Sequence, residues 1–151
     1  MLSNKTKYAI KALVALAGNN GKPMVISDIA GKEHIPKKFL EAILLDLKKQ
    51  GILGSKSGAG GGYHLIKKPG EVALTTVLRT MGGPIALLPC VSLNYYERCT
   101  DCDDEQLCSL RSVVMKVRDA SLAIFADTTL KDMVRMEKKL REKKAAGRKA
   151  R

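Results

Sequence analysis

Residues 27–66 read SDIAGKEHIPKKFLEAILLDLKKQGILGSKSGAGGGYHLI, and the order of their local signals is informative. Ser27-Asp28-Ile29-Ala30 predicts a short helix capped by Ser27 and ending between Gly31 and His34. Pro36 suits the first position of a following helix, because the N–H it lacks goes unpaired there. In that helix Phe39, Leu40, Ile43, Leu44 and Leu47 form one apolar stripe. Lys37, Lys38, Glu41, Lys48 and Lys49 lie off the stripe, and Gly51 ends the helix. Two helices of this size joined by a tight turn describe a helix-turn-helix. Beyond it, Ile52-Leu53 and Tyr63-His64-Leu65-Ile66 flank a glycine-rich run, which predicts a β-hairpin. The parts in this order make a winged helix-turn-helix.

Upstream, Ser3 is a suitable N-cap for a first helix with Tyr8, Ala9, Ala12, Leu13, Leu16 and Ala17 on one face and Gly18 as its stop. Asn19–Pro23 reads as a turn. Downstream, Thr75 or Thr76 would cap a short fourth helix through Met81, which Gly82-Gly83-Pro84 breaks. Residues 89–108 lack periodicity and read as a loop. A long helix resumes at Leu107. Its apolar positions Leu110, Val114, Val117, Ser121 and Ile124 step by 4, 3, 4 and 3, widened by Val113 and Phe125, a seam that one domain rarely needs for itself. Thr128 or Thr129 would cap a last helix carrying Leu130, Met133, Val134 and Leu140. The segment from Glu142 to Arg151 is too charged to pack and reads as frayed. The fold class is therefore mainly α, a winged helix-turn-helix with a small hairpin wing and a long C-terminal dimerisation helix. The expected divisions are a DNA-binding domain (1–82), a cysteine-rich sensor loop (83–109), dimerisation and C-terminal helices (110–140) and a basic flexible tail (141–151).

Length and charge fit this division. The chain has 151 residues, 27 Lys and Arg against 15 Asp and Glu, and a net charge of +12. With 45% of its residues apolar it can bury a core. Neither a membrane-length apolar run nor a signal-peptide apolar region behind Met1-Leu2-Ser3-Asn4-Lys5 is seen, so a cytoplasmic protein is expected, nucleoid-associated when bound. Residues 1–70 are net +8, residues 71–130 net −3 and residues 131–151 net +7. Two basic lobes flanking an acidic middle suit a polyanionic partner, most often nucleic acid, although a basic lobe is also a solubilising face.

All four cysteines, Cys90, Cys99, Cys102 and Cys108, fall within the acidic middle. In an unsecreted chain such clustering favours a metal or redox site over structural disulfides. Cys99-Thr-Asp-Cys102 brings two thiolates close enough to grip one ion. Four soft ligands suit an iron–sulfur cluster (2Fe–2S or 4Fe–4S) or zinc, and disulfide or free-thiol states stay open. The neighbouring Asp101, Asp103, Asp104 and Glu105 are expected to raise the thiol pKa values, and are an alternative source of an oxygen ligand.

A helix fits the major groove with its first turns at base edges. Lys37 and Lys38 would meet phosphate or guanine there, and Glu41 would accept from a cytosine amino group. In the wing, Gly58, Gly60, Gly61 and Gly62 leave bare backbone for phosphates or a minor groove, with Lys56 supplying charge. The expected DNA-contacting set is Ser27, Lys37, Lys38, Phe39, Glu41, Ala42, Lys48, Lys56, Ser57, Gly58, Gly60, Gly61 and Tyr63. Each has an ordinary structural alternative as a solvated helix or turn residue. His64 reads as a strand residue without a role.

With these parts in order, residues 1–135 resemble the IscR/NsrR/CymR family of bacterial winged-helix regulators. The strings that carry the resemblance are Leu2-Ser3-Asn4-Lys5-Thr6-Lys7-Tyr8-Ala9, Ser27-Asp28-Ile29-Ala30, Phe39-Leu40-Glu41, Lys48-Lys49-Gln50-Gly51-Ile52-Leu53 and Gly60-Gly61-Gly62-Tyr63, with Thr129-Leu130 near the end. The resemblance implies a homodimer crossed through the long helix, the Pro36–Gln50 helix in the major groove and the wing toward the minor groove. It implies base reading by Glu41. Ser57 stands where some relatives carry Arg. Cluster-binding relatives commonly use three cysteines, the last two separated by five residues. Cys102 and Cys108 match that pair, Cys90 would be the first ligand, Cys99 is extra, and no His follows Cys108. Other relatives carry no cluster.

The expected function is a DNA-binding transcription regulator, a repressor, that binds a palindromic operator on double-stranded DNA as a homodimer. Its binding would respond to an iron–sulfur cluster or to the redox state of the four-cysteine loop. No catalytic arrangement and no small-molecule substrate is expected. The competing readings are a small iron–sulfur electron-transfer or accessory protein, and a zinc-stabilised nucleic-acid-binding module without sensing.

Overall fold

The computed structural model describes residues 2–82 and 85–149. Its elements are α1 (Asn4–Ala17), α2 (Ile26–Glu33), α3 (Lys37–Lys49), β1 (Leu53–Lys56), β2 (Gly62–Leu65), α4 (Leu74–Thr80), α5 (Ser109–Asp127) and α6 (Leu130–Lys149), with short 3-10 turns at Pro69–Glu71, Pro89–Val91 and Glu105–Leu107. None of the described helices is long and apolar enough to cross a membrane. The expected class, mainly helical with one small antiparallel sheet, is the observed one.

The core forms because each helix has one apolar face and α1 supplies a surface for most of them. Ser3 caps α1, its Oγ accepting from the Thr6 N–H at 3.1 Å. Ala9, Ala12, Leu13 and Leu16 of α1 bury against Ile29 of α2 and Leu40, Ile43, Leu44 and Leu47 of α3. Each fully buried Leu or Ile contributes about 1.5–3 kcal/mol, so this interface holds the helix-turn-helix rigid. At the end of α3, Gly51 takes φ +70° while Ile52 N–H donates to Leu47 O and Gly51 N–H to Lys48 O, both at 3.0 Å. This left-handed cap satisfies two end carbonyls and turns the chain straight into β1.

The hairpin pairs Leu53 with Leu65, Gly54 with His64, Ser55 with Tyr63 and Lys56 with Gly62. A third segment joins it. Tyr63 N–H donates to Met24 O at 2.8 Å and Met24 N–H to Tyr63 O at 2.9 Å, so the turn predicted at Asn19–Pro23 leads into an extended residue that braces the wing. Gly62 permits that approach: its φ is +136°, and a Cβ there would sit 2.4 Å from Met24 O.

After the wing the chain makes a long excursion and returns. Leu74 N–H donates to Thr128 O at 2.9 Å and Leu130 N–H to Val72 O at 3.0 Å, with Ala73 opposite Thr129. Thr129 Oγ1 donates to Asp132 Oδ2 at 2.6 Å, Thr129 N–H donates to the same oxygen at 3.1 Å, and Asp132 N–H donates back to Thr129 Oγ1 at 3.3 Å. This reciprocal cap fixes the start of α6 and holds the Asp132 carboxyl below its ordinary value. Leu130 is fully buried, and Met133 and Val134 pack on the same core.

Several local expectations are corrected. Val25 precedes α2, and Ser27 lies inside the helix without capping it. The end of that helix falls where expected, at Glu33 before His34, which adopts φ 54°. Pro36 precedes α3 instead of opening it. Phe39 is exposed, set edge-on to Tyr8 with ring centroids 5.7 Å apart, and not part of the buried stripe. Ala73, not a threonine, precedes α4, and the break predicted at Gly82-Gly83-Pro84 falls partly on residues 83 and 84, outside the described residues. The long helix begins at Ser109, two residues after Leu107. The tail is helical to Lys149 although residues 142–146 are all exposed, because Lys, Glu, Arg and Ala are strong helix formers. Residues 150 and 151 lie outside the described residues.

Candidate nucleic-acid interface and cysteine site

With Leu40, Ile43, Leu44 and Leu47 turned into the core, α3 presents its opposite side to solvent. Lys37, Lys38, Ala42, Leu45, Lys48 and Lys49 are exposed there, and Glu41 is half-buried beside them. Lys38, Ala42, Leu45 and Lys49 follow at helical spacing, so they form one row along the axis. Leu45, 48% exposed, lies outside the expected contact set, although a leucine off the buried stripe of an otherwise charged face is a signal for it. Lys48 Nζ donates to Ser55 Oγ at 2.6 Å, which ties the helix to the wing. On the far flank Lys5 meets Asp46 at 2.7 Å, and that bond holds the Asp46 carboxyl below its ordinary value. Ser27 is exposed on α2.

In the wing, Lys56, Ser57, Gly58 and Gly60 are exposed. Gly58 and Gly60 take φ of +88° and +73° with open space around them, which leaves their backbone accessible to an anion. Two expected contacts differ. Gly61 is buried beneath the loop, its Cβ position 2.3 Å from Lys56 O. Tyr63 is half-buried against the core and braced by Met24. His64 covers Gly54, where a Cβ would meet the imidazole at 2.6 Å.

The cysteine loop is built around Glu105, which the sequence offered only as an acidic neighbour of the thiols, and Arg118, which it did not single out. Glu105 is its hub. Its Oε1 accepts from Cys99 N–H at 3.0 Å, its Oε2 accepts from Tyr96 Oη at 2.9 Å, and Arg111 Nε stands 3.9 Å away. These contacts lower the Glu105 pKa and raise that of Tyr96. Arg118 of α5 is the second organiser: its Nη1 donates to Val91 O at 2.7 Å while Nε meets Asp119 Oδ1 at 2.8 Å. Arg118 reaches a partner 27 residues away, and the partners of Glu105 lie within an aperiodic loop, so spacing alone reveals neither role.

All four cysteines are free thiols. Cys90 is buried with Val91 and Val114, and Cys99 packs against that cluster. The neighbouring thiols of Cys99 and Cys108, with burial, push the Cys102 pKa up to about 12. Cys108 precedes the first residue of α5, and its Sγ accepts from Arg111 N–H at 3.4 Å. That bond leads the lowering of its pKa, as expected for a thiol at a helix N-terminus. The acidic neighbours are therefore not the main influence on Cys102 or Cys108. An open pocket of about 410 Å³ lies over Arg98, Cys99, Thr100, Cys102 and Asp103. Among the described residues no three Cys, His, Asp or Glu groups are already set as a metal-ion site. The donor chemistry nevertheless fits a thiolate-held centre: three thiols converge, the fourth lies buried beside the Cys99 cluster, and the acidic side chains are engaged elsewhere or exposed.

On α5, Leu110, Val113, Val117 and Ile124 are 44–65% exposed. Val114, assigned to the same seam, is only 8% exposed and turned onto Cys90 and Val91. Ser121 spends its hydroxyl on Val117 O, and Phe125 packs toward the main core. The outward row is thus Leu110, Val113, Val117, Ala120 and Ile124, with Ala120 in place of Ser121 and Val114 withdrawn.

Comparison with known proteins places this geometry in context. Residues 2–136 match Rrf2, described as an iron-dependent transcriptional regulator family. The chain is 42% identical over 138 residues to an rrf2-like HTH-type transcriptional regulator of Rhodobacter capsulatus, covering 89% of this chain and 92% of that one. Among solved structures, CymR, the global cysteine regulator of B. subtilis, superposes with a TM-score of 0.75 at 26% identity, over 90% of this chain and 97% of that one. T. potens IscR shares the fold, with a TM-score of 0.72 at 23% identity over 91% and 88% of the two chains.

Proposed function

We propose, from the premise that this chain belongs to the Rrf2 family of transcriptional regulators, that it is a repressor reading a palindromic operator as a homodimer. In this reading residues 1–82 form the DNA-binding domain. The exposed side of α3, with Lys37, Lys38, Glu41, Ala42 and Lys48, enters the major groove, and Lys56, Ser57, Gly58 and Gly60 of the wing contact the backbone or the minor groove. Ser27 meets phosphate from α2, and Phe39 sits at the margin of the contact. The outward row of α5 pairs with its copy about a two-fold axis, which makes the operator palindromic.

The second part of the proposal is sensing by the 89–108 loop. Cys102, Cys108 and Cys90 or Cys99 would hold an iron–sulfur cluster, 2Fe–2S or 4Fe–4S. When bound, such a cluster supplies an iron-and-sulfide core joined to the chain only through thiolates. The observation that carries this reading is the double attachment of the loop to α5: Cys108 caps its first turn and Arg118 holds Val91 from its middle. Ligation that moves either end therefore bears on the helix expected to set the distance between the two DNA-reading lobes. The two loop states would then differ in DNA affinity by their differential stability on the operator.

Anaerobic purification followed by visible absorption and iron and sulfide analysis tests the cofactor, and a salt-dependent gel shift on selected operator DNA tests the binding. Brown protein with iron and acid-labile sulfide, and a shift weakened by Lys38→Ala, are the expected results. Colourless protein with one zinc per chain overturns the iron–sulfur reading. DNA affinity that ignores chelation and oxidation of the loop overturns sensing.

A further inference from the structure

The family match ends at residue 136, yet α6 continues as a helix to Lys149. The added segment is strongly basic. Lys138, Lys139, Lys143 and Lys144 are exposed, and among the described residues none of the four forms an ion pair, whereas Arg141 pairs with Glu137. Lys139 and Lys143 are neighbours of like charge one turn apart, an arrangement that slightly destabilises a helix by itself. The sequence thus maintains a helix there while concentrating charge on it.

The path of α6 gives that charge a place. Val134 lies against Gly18 at the end of α1. Seven residues on, Arg141 lies within the electrostatic reach of Glu33. Glu33 is the last residue of α2, and Lys11 of α1 also reaches it, Nζ to Oε2 at 3.6 Å. The basic segment therefore runs on the side of the molecule where α2 ends, four residues before the start of α3 that is expected to face the duplex. From there about eight residues of helix extend roughly 12 Å farther.

We propose that residues 138–144 of α6 bind the phosphate backbone of duplex DNA flanking the operator half-site, extending the footprint beyond what α3 and the wing cover. This rests on the DNA-binding reading above. The match is one of charge: four unpaired ammonium groups along about 10 Å of helix axis, against a duplex carrying one phosphate per about 1.7 Å. Such contacts carry no base specificity, so they would add affinity without changing the sequence read.

The test uses the full chain with Lys138, Lys139, Lys143 and Lys144 all changed to Gln, beside a second variant with the same four changed to Arg. An operator obtained by in vitro selection with the wild-type chain is prepared as a bare site and with 10-base-pair flanks of mixed sequence. Fluorescence anisotropy gives Kd across a salt series. The Gln variant is expected to bind the flanked duplex at least about tenfold more weakly in 0.1 M salt. Its slope of log Kd against log salt should fall by about 0.9 for each phosphate that the variant leaves unneutralised. Binding to the bare site should stay within about twofold, and the Arg variant should behave as wild type. Equal affinity and slope for wild type and Gln variant on the flanked duplex overturn the proposal, as they would if the basic helix served an acidic protein instead. Failure of the wild-type chain to select or bind any duplex overturns the DNA-binding reading itself, which is a different outcome.

Discussion

Replacing Gly62 with alanine attacks the brace between wing and helices. At φ +136° the backbone lies in a region populated almost only by glycine, and such conformations cost other residues on the order of 1–3 kcal/mol. The new Cβ would fall 2.4 Å from Met24 O, so the strand must part from Met24. Parting them weakens two backbone hydrogen bonds, at 2.8 and 2.9 Å, each worth about 0.5–1.5 kcal/mol net. The combined loss is about 2–6 kcal/mol. Gly58→Ala is the control, because Gly58 has φ +88° but nothing within 4 Å of its Cβ position, leaving only the backbone term of about 1–2 kcal/mol. The variants should therefore separate by the worth of the two hydrogen bonds, about 1–3 kcal/mol, roughly 2 °C or more in Tm for a protein of this size. Thermal unfolding followed by circular dichroism at one fixed protein concentration measures the gap. If the two variants melt within about 1 °C of each other, close approach of Met24 is not what requires glycine at position 62.

Arg118→Met keeps the length of the side chain but leaves Val91 O without its donor, a loss of about 1–3 kcal/mol in holding the loop. Cys90, 6% exposed in the intact chain, should then react with a thiol reagent at a rate approaching those of the more accessible cysteines, and continued protection of Cys90 would refute the coupling. Ile124→Lys changes a side chain that is 65% exposed, so unfolding of the chain should shift by no more than about 0.5 kcal/mol. Sedimentation should nevertheless show dissociation to protomers, and an unchanged association constant would remove α5 from the interface. The Asp132 carboxyl is depressed first by its bond to the Thr129 hydroxyl. Its contribution is therefore complete above the ordinary value of 3.8 and is lost as pH falls through the lower folded value. Urea midpoints of wild type and Asp132→Asn should differ at pH 7 and converge below pH 3.8. A difference that persists in acid would mean that the carboxylate is not what holds the start of α6.

The helix-turn-helix and wing were legible because their signals are local. Leu40, Ile43, Leu44 and Leu47 declare a buried stripe by spacing alone, and Gly51 marks a left-handed cap that only the following backbone bonds confirm. What spacing could not resolve was pairing across the fold. Met24 gave no sign that it would brace Tyr63, since a single bridge leaves no periodicity. Helix α5 shows the same limit: steps of 4, 3, 4 and 3 from Leu110 and steps of 3, 4, 3 and 4 from the same residue describe adjacent faces. Only the return of Cys90 and Val91 onto Val114 selects between them. In the cysteine loop the ligand types were plain, but Glu105 organises it through contacts within an aperiodic loop and Arg118 through a bond that spans 27 residues. The acidic neighbours drew attention through charge, whereas the thiol chemistry answers mainly to the other thiols and to the start of α5.

The antiparallel pairing of residues 72–74 with 128–130 has a bearing on engineering. Strand neighbours stand only about 5 Å apart, so the excursion that contains α4, the cysteine loop and α5 begins and ends at a single clasp, with Val77 of α4, Met81 at its end and Phe125 of α5 still packed on the main core. The exchangeable part is the stretch between Met81 and Phe125, whose buried cluster of Cys90, Val91 and Val114 is separate from the main core: a different loop chemistry, or a helix of different pairing preference, can be grafted there. The clasp brings the ends together, while Val77, Met81 and Phe125 stay with the core of the reading head and α6 keeps its seat.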